Sequence, residues 1–294
     1  MNDNLFEIYP NIYINIQKWI CYICTFENTT HPYYCVICGN NSNKYNIINS
    51  GEYRKKIDKK AKVFNIFNTE KILLPVLSCK DDVQFINNIE KIYPYIEDKK
   101  IHGIWITSAN CDISIIEKVI KWKNDLKKNI WLGINLIGEN IFKVLEFIKI
   151  NNPDGIWIDN SYFNNETNFN IPEIILDQFE KMNWNGLYFG GVMFKYQSID
   201  YLKKEILNKT HEYIDVLTTS GIATGTPIDI DKLNYIYDST NEKIHIAIAS
   251  GISSENILNI KEKCNIFLFR SSIVDIDNNI LIDKINLLCE KFYE

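Results

Sequence analysis

The feature that most constrains this chain is a repeating alternation beyond residue 62. Short apolar, β-rich runs take turns with stretches of helical periodicity, roughly 25 to 30 residues per cycle. The clear runs are IHGIWIT (101–107), IWLGINLI (130–137), GIWID (155–159), GLYFGGV (186–192), IDVLTTS (214–220), KIHIAIA (243–249) and NIFLFR (265–270). An earlier first strand is either VFNIF (63–67) or ILLPVLS (72–78), the second weakened by Pro75. DDVQFINNIEKI, DISIIEKVIKWKNDL and ENIFKVLEFIKI read as helices, with Asp81, Asp112 and Ser253 as candidate caps. Eight strands, each followed by a helix, count out a (β/α)8 TIM barrel over 63–294. An open doubly wound sheet is the alternative. Its dinucleotide-binding form wants a glycine-rich turn after the first strand, and LSCKDD has no glycine.

Composition removes other classes. The 294 residues include only 12 Gly and 7 Pro, too few for a fibrous or low-complexity chain. A formal net charge of −5 disfavours non-specific binding to nucleic acid or anionic membrane. No apolar run approaches the length of a membrane span, and MNDNLFEIYP lacks the features of a secretory signal. The expectation is a soluble intracellular protein, cytoplasmic with the nucleus open, since the basic stretch YRKKIDKKAK (53–62) could be a nuclear address or a nucleic-acid patch. A solvated linker, or a segment docking on the domain that follows, is the plainer reading of that stretch.

Four of the eight cysteines, Cys21, Cys24, Cys35 and Cys38, form C-x2-C-x10-C-x2-C. Two such knuckles can complete a tetrahedron of thiolates around zinc, which supplies folding energy that so small a core cannot. His31 is a spare donor that four thiolates make unnecessary. Cys79, Cys111, Cys264 and Cys289 are scattered and read as free thiols. The segment WICYICTFENTTHPYYCVIC resembles the NZF (Ran-binding-protein type) zinc finger, with Trp19, Cys21, Cys24, Thr25, Asn28, Cys35 and Cys38 on its pattern. The resemblance implies a finger over 15–44, with Trp19 packed beside the metal and Asn28 bracing the hairpins. Ubiquitin-binding members carry Thr-Phe after the second Cys and an apolar residue before the fourth. Thr25, Phe26 and Ile37 stand at those places, so ubiquitin is the partner implied. Packing of Phe26 and Ile37 on the chain's own barrel is the competing reading. RNA-binding members use arginines where this chain has TTHPYY, and residues 1–50 set Lys18 and Lys44 against Asp3, Glu7 and Glu27. RNA is therefore disfavoured. Residues 45–62 are assigned to a linker.

A barrel's chemistry is expected at the C-terminal ends of its strands. Those ends offer Ser78, Cys79, Thr107 to Cys111, Asn135, Asp159, Asn160, Lys195, Thr218 to Thr226, Ser250, Gly251 and Arg270 to Ser272. Small residues after the last three strands suit an anion, because backbone N–H groups can approach it. Gly221, Thr224, Gly225, Ser250, Gly251, Arg270, Ser271 and Ser272 are the candidate phosphate ligands, with tight turns and helix caps as the alternative. Asp159 is the candidate acid or base, and Lys195 the candidate cation or Schiff-base amine. His102 and His245 fall at strand starts and read as structural.

DVLTTSGIATGTPIDIDKL and IAIASGISSENI are similar to the BtpA/SgcQ family of TIM barrels. Ser220-Gly221, Ala223-Thr224-Gly225 and Pro227 fit its first loop, and Ser250-Gly251-Ile252 with Glu255-Asn256 fit its second. Gly133, Asn135 and Leu136 match an earlier strand. Lys195-Tyr196 stands where the pattern has Lys-His, Arg270 replaces a glycine and Asp159 an asparagine. The resemblance implies the fold and the position of the site. A lyase, isomerase or nucleosidase-like hydrolase of a nucleotide or sugar phosphate is one function. A ubiquitin-reading adaptor with a degenerate barrel is the other.

Overall fold

The computed structural model describes residues 19–20, 27–28, 55, 57–165, 169–195, 197 and 201–294. The chain divides into two compact units, Met1–Tyr53 and Arg54–Glu294. In the first, Trp19–Ile20 pairs antiparallel with Glu27–Asn28, Trp19 opposite Asn28. The four clustered cysteines, Thr25, Phe26 and Ile37 lie outside the described residues.

The second unit is a (β/α)8 barrel. Its strands are β1 (Ile72–Leu77), β2 (Ile104–Thr107), β3 (Leu132–Asn135), β4 (Gly155–Ile158), β5 (Leu187–Gly191), β6 (Val216–Thr219), β7 (His245–Ile248) and β8 (Ile266–Phe269). Each pairs in parallel with the next, and β8 closes on β1. Helix α1 (Lys59–Phe67) precedes the barrel. The outer helices are α2 (Asp82–Glu97), α3 (Ile113–Asp125), α4 (Ile141–Asn151), α5 (Asn170–Lys181), α6 (Lys204–Lys209), α7 (Ile230–Thr240), α8 (Ile257–Ile260) and α9 (Ile282–Tyr293). No helix among the described residues is long and apolar enough to cross a membrane.

The two candidates for the first strand part company here. VFNIF ends α1, with Val63 buried and Phe64 and Ile66 exposed, a helical rather than a strand periodicity. ILLPVL is β1. Pro75 lies opposite Phe269 of β8, and pairing to β2 begins only at Val76, so no ladder bond depends on the missing N–H. Of the predicted caps, Asp81 Oδ1 accepts from Gln84 N–H at 2.8 Å. Asp112 caps α3 without a side-chain bond. Ser253 closes the turn before α8, whose cap position belongs to Asn256.

Both faces of every strand are buried, which is why the runs read as continuously apolar. Leu73, Leu77, Ile104, Ile106, Ile134 and Ile156 pack towards the helices. Ile72, Leu74, Val76, Trp105, Trp157, Phe189, Val216, Ala247, Ile266 and Leu268 fill the barrel. Bulky indoles inside a barrel need space on neighbouring strands. A Cβ on Gly133 would come within 2.5 Å of the Trp105 ring, and one on Gly155 within 2.5 Å of Trp131. Trp105 meets Phe189 edge-on at 4.8 Å and Trp131 at 5.1 Å.

Helix α1 belongs to this core. Val63 joins the interior cluster and Phe67 packs on Trp131 at 5.1 Å. Lys62 Nζ lies 2.7 Å and Lys59 Nζ 3.4 Å from the Asp215 carboxylate, which precedes β6 and is 2% exposed. The second half of the basic stretch therefore docks on the barrel, at the end where the strands begin.

Candidate active site at the barrel mouth

Alternation along a strand carries its inward phase up to the C-terminal mouth. On β2 and β3, Trp105 and Gly133 are followed in phase by Thr107 and Asn135. On β4, Trp157 is followed by Asp159, and on β8, Ile266 and Leu268 are followed by Arg270. The structure brings these together as one wall. Thr107 Oγ1 donates to Asn135 Oδ1 at 3.3 Å, and Asn135 Nδ2 donates to Asp159 Oδ1 at 3.2 Å and to the Trp157 carbonyl at 2.9 Å. Gln197 Nε2 holds the Asp159 carbonyl at 2.9 Å. Burial pushes the Asp159 carboxyl above its ordinary range, against the pull of the Lys195 charge and the Asn135 amide. A carboxyl so poised can exchange a proton with a ligand.

Lys195 follows β5. Its N–H donates to Ser220 Oγ at 2.8 Å and its ammonium to Thr224 Oγ1 at 3.1 Å, which ties it to the loop after β6. That loop is folded tightly. Ser250 Oγ, at the end of β7, lies 2.8 Å from the Ala223 carbonyl and 2.9 Å from that of Thr226. A Cβ on Gly221 would overlap the Thr226 and Pro227 carbonyls, and Gly251, with φ +62°, faces the same backbone. Gly221, Ser250 and Gly251 thus build the loop. Gly225, with φ +79°, is open, its nearest neighbour being Ser271 Oγ of the loop after β8. Thr224, Gly225 and Ser271 are exposed at this meeting of loops.

The arrangement leaves donors unspent. Among the described residues, the N–H groups of Gly221 to Gly225, Ser250 to Ile252 and Arg270 to Ser272 donate to no acceptor in the protein. Arg270 donates from a terminal nitrogen to Asn278 Oδ1, while its Nε and the buried Ser272 Oγ have no partner. Burial holds the Arg270 guanidinium below its ordinary pKa. Neither Lys195 nor Arg270 has a carboxylate within ion-pair distance among the described residues. Two cations and a run of backbone amides left free for water or a ligand are elements that an anion site can use.

The cysteines near the mouth are poor nucleophiles. Burial pushes the Cys79 thiol up to about 12, and raises Cys111 too. At the opposite end, His102 Nδ1 accepts the Leu73 N–H at 3.1 Å, and burial lowers the ring to about 4. His245 is buried at the start of β7. Among the described residues no group of three or more His, Cys, Asp or Glu is placed to hold a metal. A surface cavity of about 550 Å³ between α6 and α7, lined by Lys204, Glu205, Lys209 and Asp238, involves none of these residues.

One participant carries no sequence signal of the expected kind. Lys232, on the first turn of α7, donates to the carbonyls of Met193 and of Ser220, the latter at 2.8 Å. A cation in a helix's first turn runs against the macrodipole, and that mismatch is the only hint the sequence holds.

No family model matches the chain, and no curated protein matches it. Solved structures do resemble it. Phosphoribosyl anthranilate isomerase from Thermus thermophilus aligns over 76% of this chain and 98% of its own, at 8% identity and a TM-score of 0.53. For KGPDC from Streptococcus mutans the coverage is the same, at 9% identity and a TM-score of 0.55. The 3-keto-L-gulonate-6-phosphate decarboxylase from Vibrio cholerae gives 11% and 0.53 over the same shares. Likenesses at such identity establish the fold.

Proposed function

We propose that the barrel binds a phosphate-bearing small molecule, a nucleotide or sugar phosphate, at its C-terminal mouth and acts on it through Asp159 and Lys195. The observation that carries this reading is the set of amides after β6, β7 and β8 that find no acceptor among the described residues, flanked by Arg270 and Lys195. Phosphate offers several acceptor oxygens at once, and small residues let it reach the backbone. Gly225, Thr224, Ser271, Ser272 and Arg270 are its direct ligands in this proposal, on a frame built by Gly221, Ser250 and Gly251. Asp159 moves the proton, and Lys195 steadies developing negative charge. The reaction class is that of a lyase, isomerase or hydrolase. The named phosphoribosyl and 6-phosphate compounds of two similar barrels agree with such a ligand. So does the likeness of the two loops to the BtpA/SgcQ pattern.

The finger, by this proposal, binds zinc through Cys21, Cys24, Cys35 and Cys38 and ubiquitin through Thr25, Phe26 and Ile37. Its support is the motif spacing. Ubiquitin or ubiquitylated proteins are then the partners of a protein working in the cytoplasm or nucleus. The departures at Asp159, Lys195-Tyr196 and Arg270 favour a second reading, an adaptor whose barrel no longer turns over a substrate.

A thermal-shift screen of the full chain against inorganic phosphate, nucleotides and sugar phosphates tests the barrel, since a ligand of the native state raises the midpoint. Ligand at 100 times its Kd stabilises by about 2.7 kcal/mol. A screen with no shift at millimolar ligand rejects the phosphate site. For the finger, Phe26→Ala is expected to weaken ubiquitin binding at least tenfold in a titration while zinc content stays constant. Undiminished binding rejects the assignment.

A further inference from the structure

Lys232 is a half-buried cation whose contacts reach the loops after β5 and β6, beside the proposed anion site. It leaves the first turn of α7, just after Asp229, whose carboxylate caps the helix by accepting from Asp231 and Lys232 N–H. A lysine there opposes the helix dipole and loses hydration as well. Burial lowers its ammonium to about 8, with Asp229 pulling the other way. The compensating contacts are two backbone carbonyls from two different loops, Met193 after β5 and Ser220 after β6. Thr219 Oγ1 donates to the same Met193 carbonyl at 3.3 Å. Two residues beyond Met193 stands Lys195, whose own N–H binds Ser220 Oγ.

Peptide geometry gives this clamp a consequence. In a trans peptide the C=O and the following N–H point in opposite directions. Holding the Ser220 carbonyl at Lys232 therefore turns the Gly221 N–H away from it, and Gly221 opens the run of amides without acceptors. We propose that Lys232 is a positioning residue, whose charge locks the loops after β5 and β6 together and fixes the direction of the amides and of Lys195 at the mouth. The role in anion binding rests on the phosphate reading above; the clamp itself does not.

The test uses the full chain, with inorganic phosphate as the probe and hydrogen exchange as a ligand-free readout. Lys232→Met is expected to weaken phosphate binding at least tenfold and to speed amide exchange at least tenfold in 192–195 and 219–227. The urea midpoint should hold or rise, because a desolvated charge has gone. A residue with a merely structural role would lower that midpoint instead. Lys232→Gln keeps a donor, on a shorter side chain and without the charge, and decides the matter if the Met variant does not fold. Its expected loss of phosphate affinity is at least threefold. Wild-type phosphate affinity or unchanged loop exchange in a folded variant overturns the proposal. Faster loop exchange in a protein that binds no phosphate even as wild type upholds the clamp and overturns the phosphate reading alone.

Discussion

At the base of the barrel several charged side chains are spent on protein partners. Asp215 pairs with Lys59 and accepts from Lys62 and the Tyr188 N–H, and Asp154 accepts from Lys123 and the Leu132 N–H. Lys71 donates to the Lys261 and Cys264 carbonyls. At the mouth, amides after three consecutive strands, Arg270 Nε and Ser272 Oγ find no partner among the described residues. The base is thus held by buried ion pairs, although Trp131 Nε1 and both His245 nitrogens find no partner there, whereas the mouth carries its free donors largely on the backbone. A buried donor without a partner costs stability, so Arg270 Nε and Ser272 Oγ are the groups at the mouth whose presence the proposed ligand would explain.

The contrast can be broken most forcefully at the base. Asp215→Ala removes the carboxylate from a buried cluster with two lysines, and a loss of about 3–5 kcal/mol is expected in urea unfolding. A loss below 1 kcal/mol would mean that the base does not carry the fold. Acid probes the same end more gently. His102 is neutral in the fold, with its pKa lowered from 6.5 to about 4, so the unfolded chain binds more protons between those values. Its contribution is therefore complete above pH 6.5 and is lost as pH falls towards 4, by at most about 3 kcal/mol. His102→Gln should flatten that part of the stability–pH curve.

The mouth should respond in the opposite sense. The Asp159 carboxyl is raised, so the fold binds its proton more tightly than the unfolded chain and stability falls as pH rises through the window between the two values. Asp159→Asn is then expected to keep or raise stability at neutral pH, by about 0.5–2 kcal/mol, as substitutions at strained sites do. Any turnover of a ligand found in the thermal-shift screen should disappear with it. A destabilised Asp159→Asn protein would erase the distinction between the two ends.

Much of this was legible in the residues themselves. The eight strands announce themselves because burial on both faces leaves uninterrupted apolar runs, and the strand ends then locate Asp159, Arg270 and Lys195. The boundaries are shorter than the runs. In IHGIWIT the strand starts at Ile104, because His102 is occupied with Leu73 of the neighbouring strand. The assignment of Gly221 and Gly251 to a ligand had a physical rival invisible in one dimension, the backbone of Thr226 and Pro227 pressed against both. Asn135 could not be tied to Asp159 without the register that sets it opposite Trp157. Lys232 was missed for a different reason. Its partners are main-chain carbonyls, which every residue owns, so no residue type at Met193 or Ser220 betrays the contact.

The packed indoles of the interior give this barrel an optical signature. Trp105 stands 5.1 Å from Trp131 and 5.9 Å from Trp157, both nearly perpendicular. Aromatic chromophores held so close in a chiral arrangement couple, and they should dominate the near-ultraviolet circular dichroism of the folded chain. Trp157, one strand position before the end of β4 and edge-on to Phe194, is the member next to Asp159 and Lys195. The spectrum therefore contains a built-in reporter for events at the mouth, readable without a label.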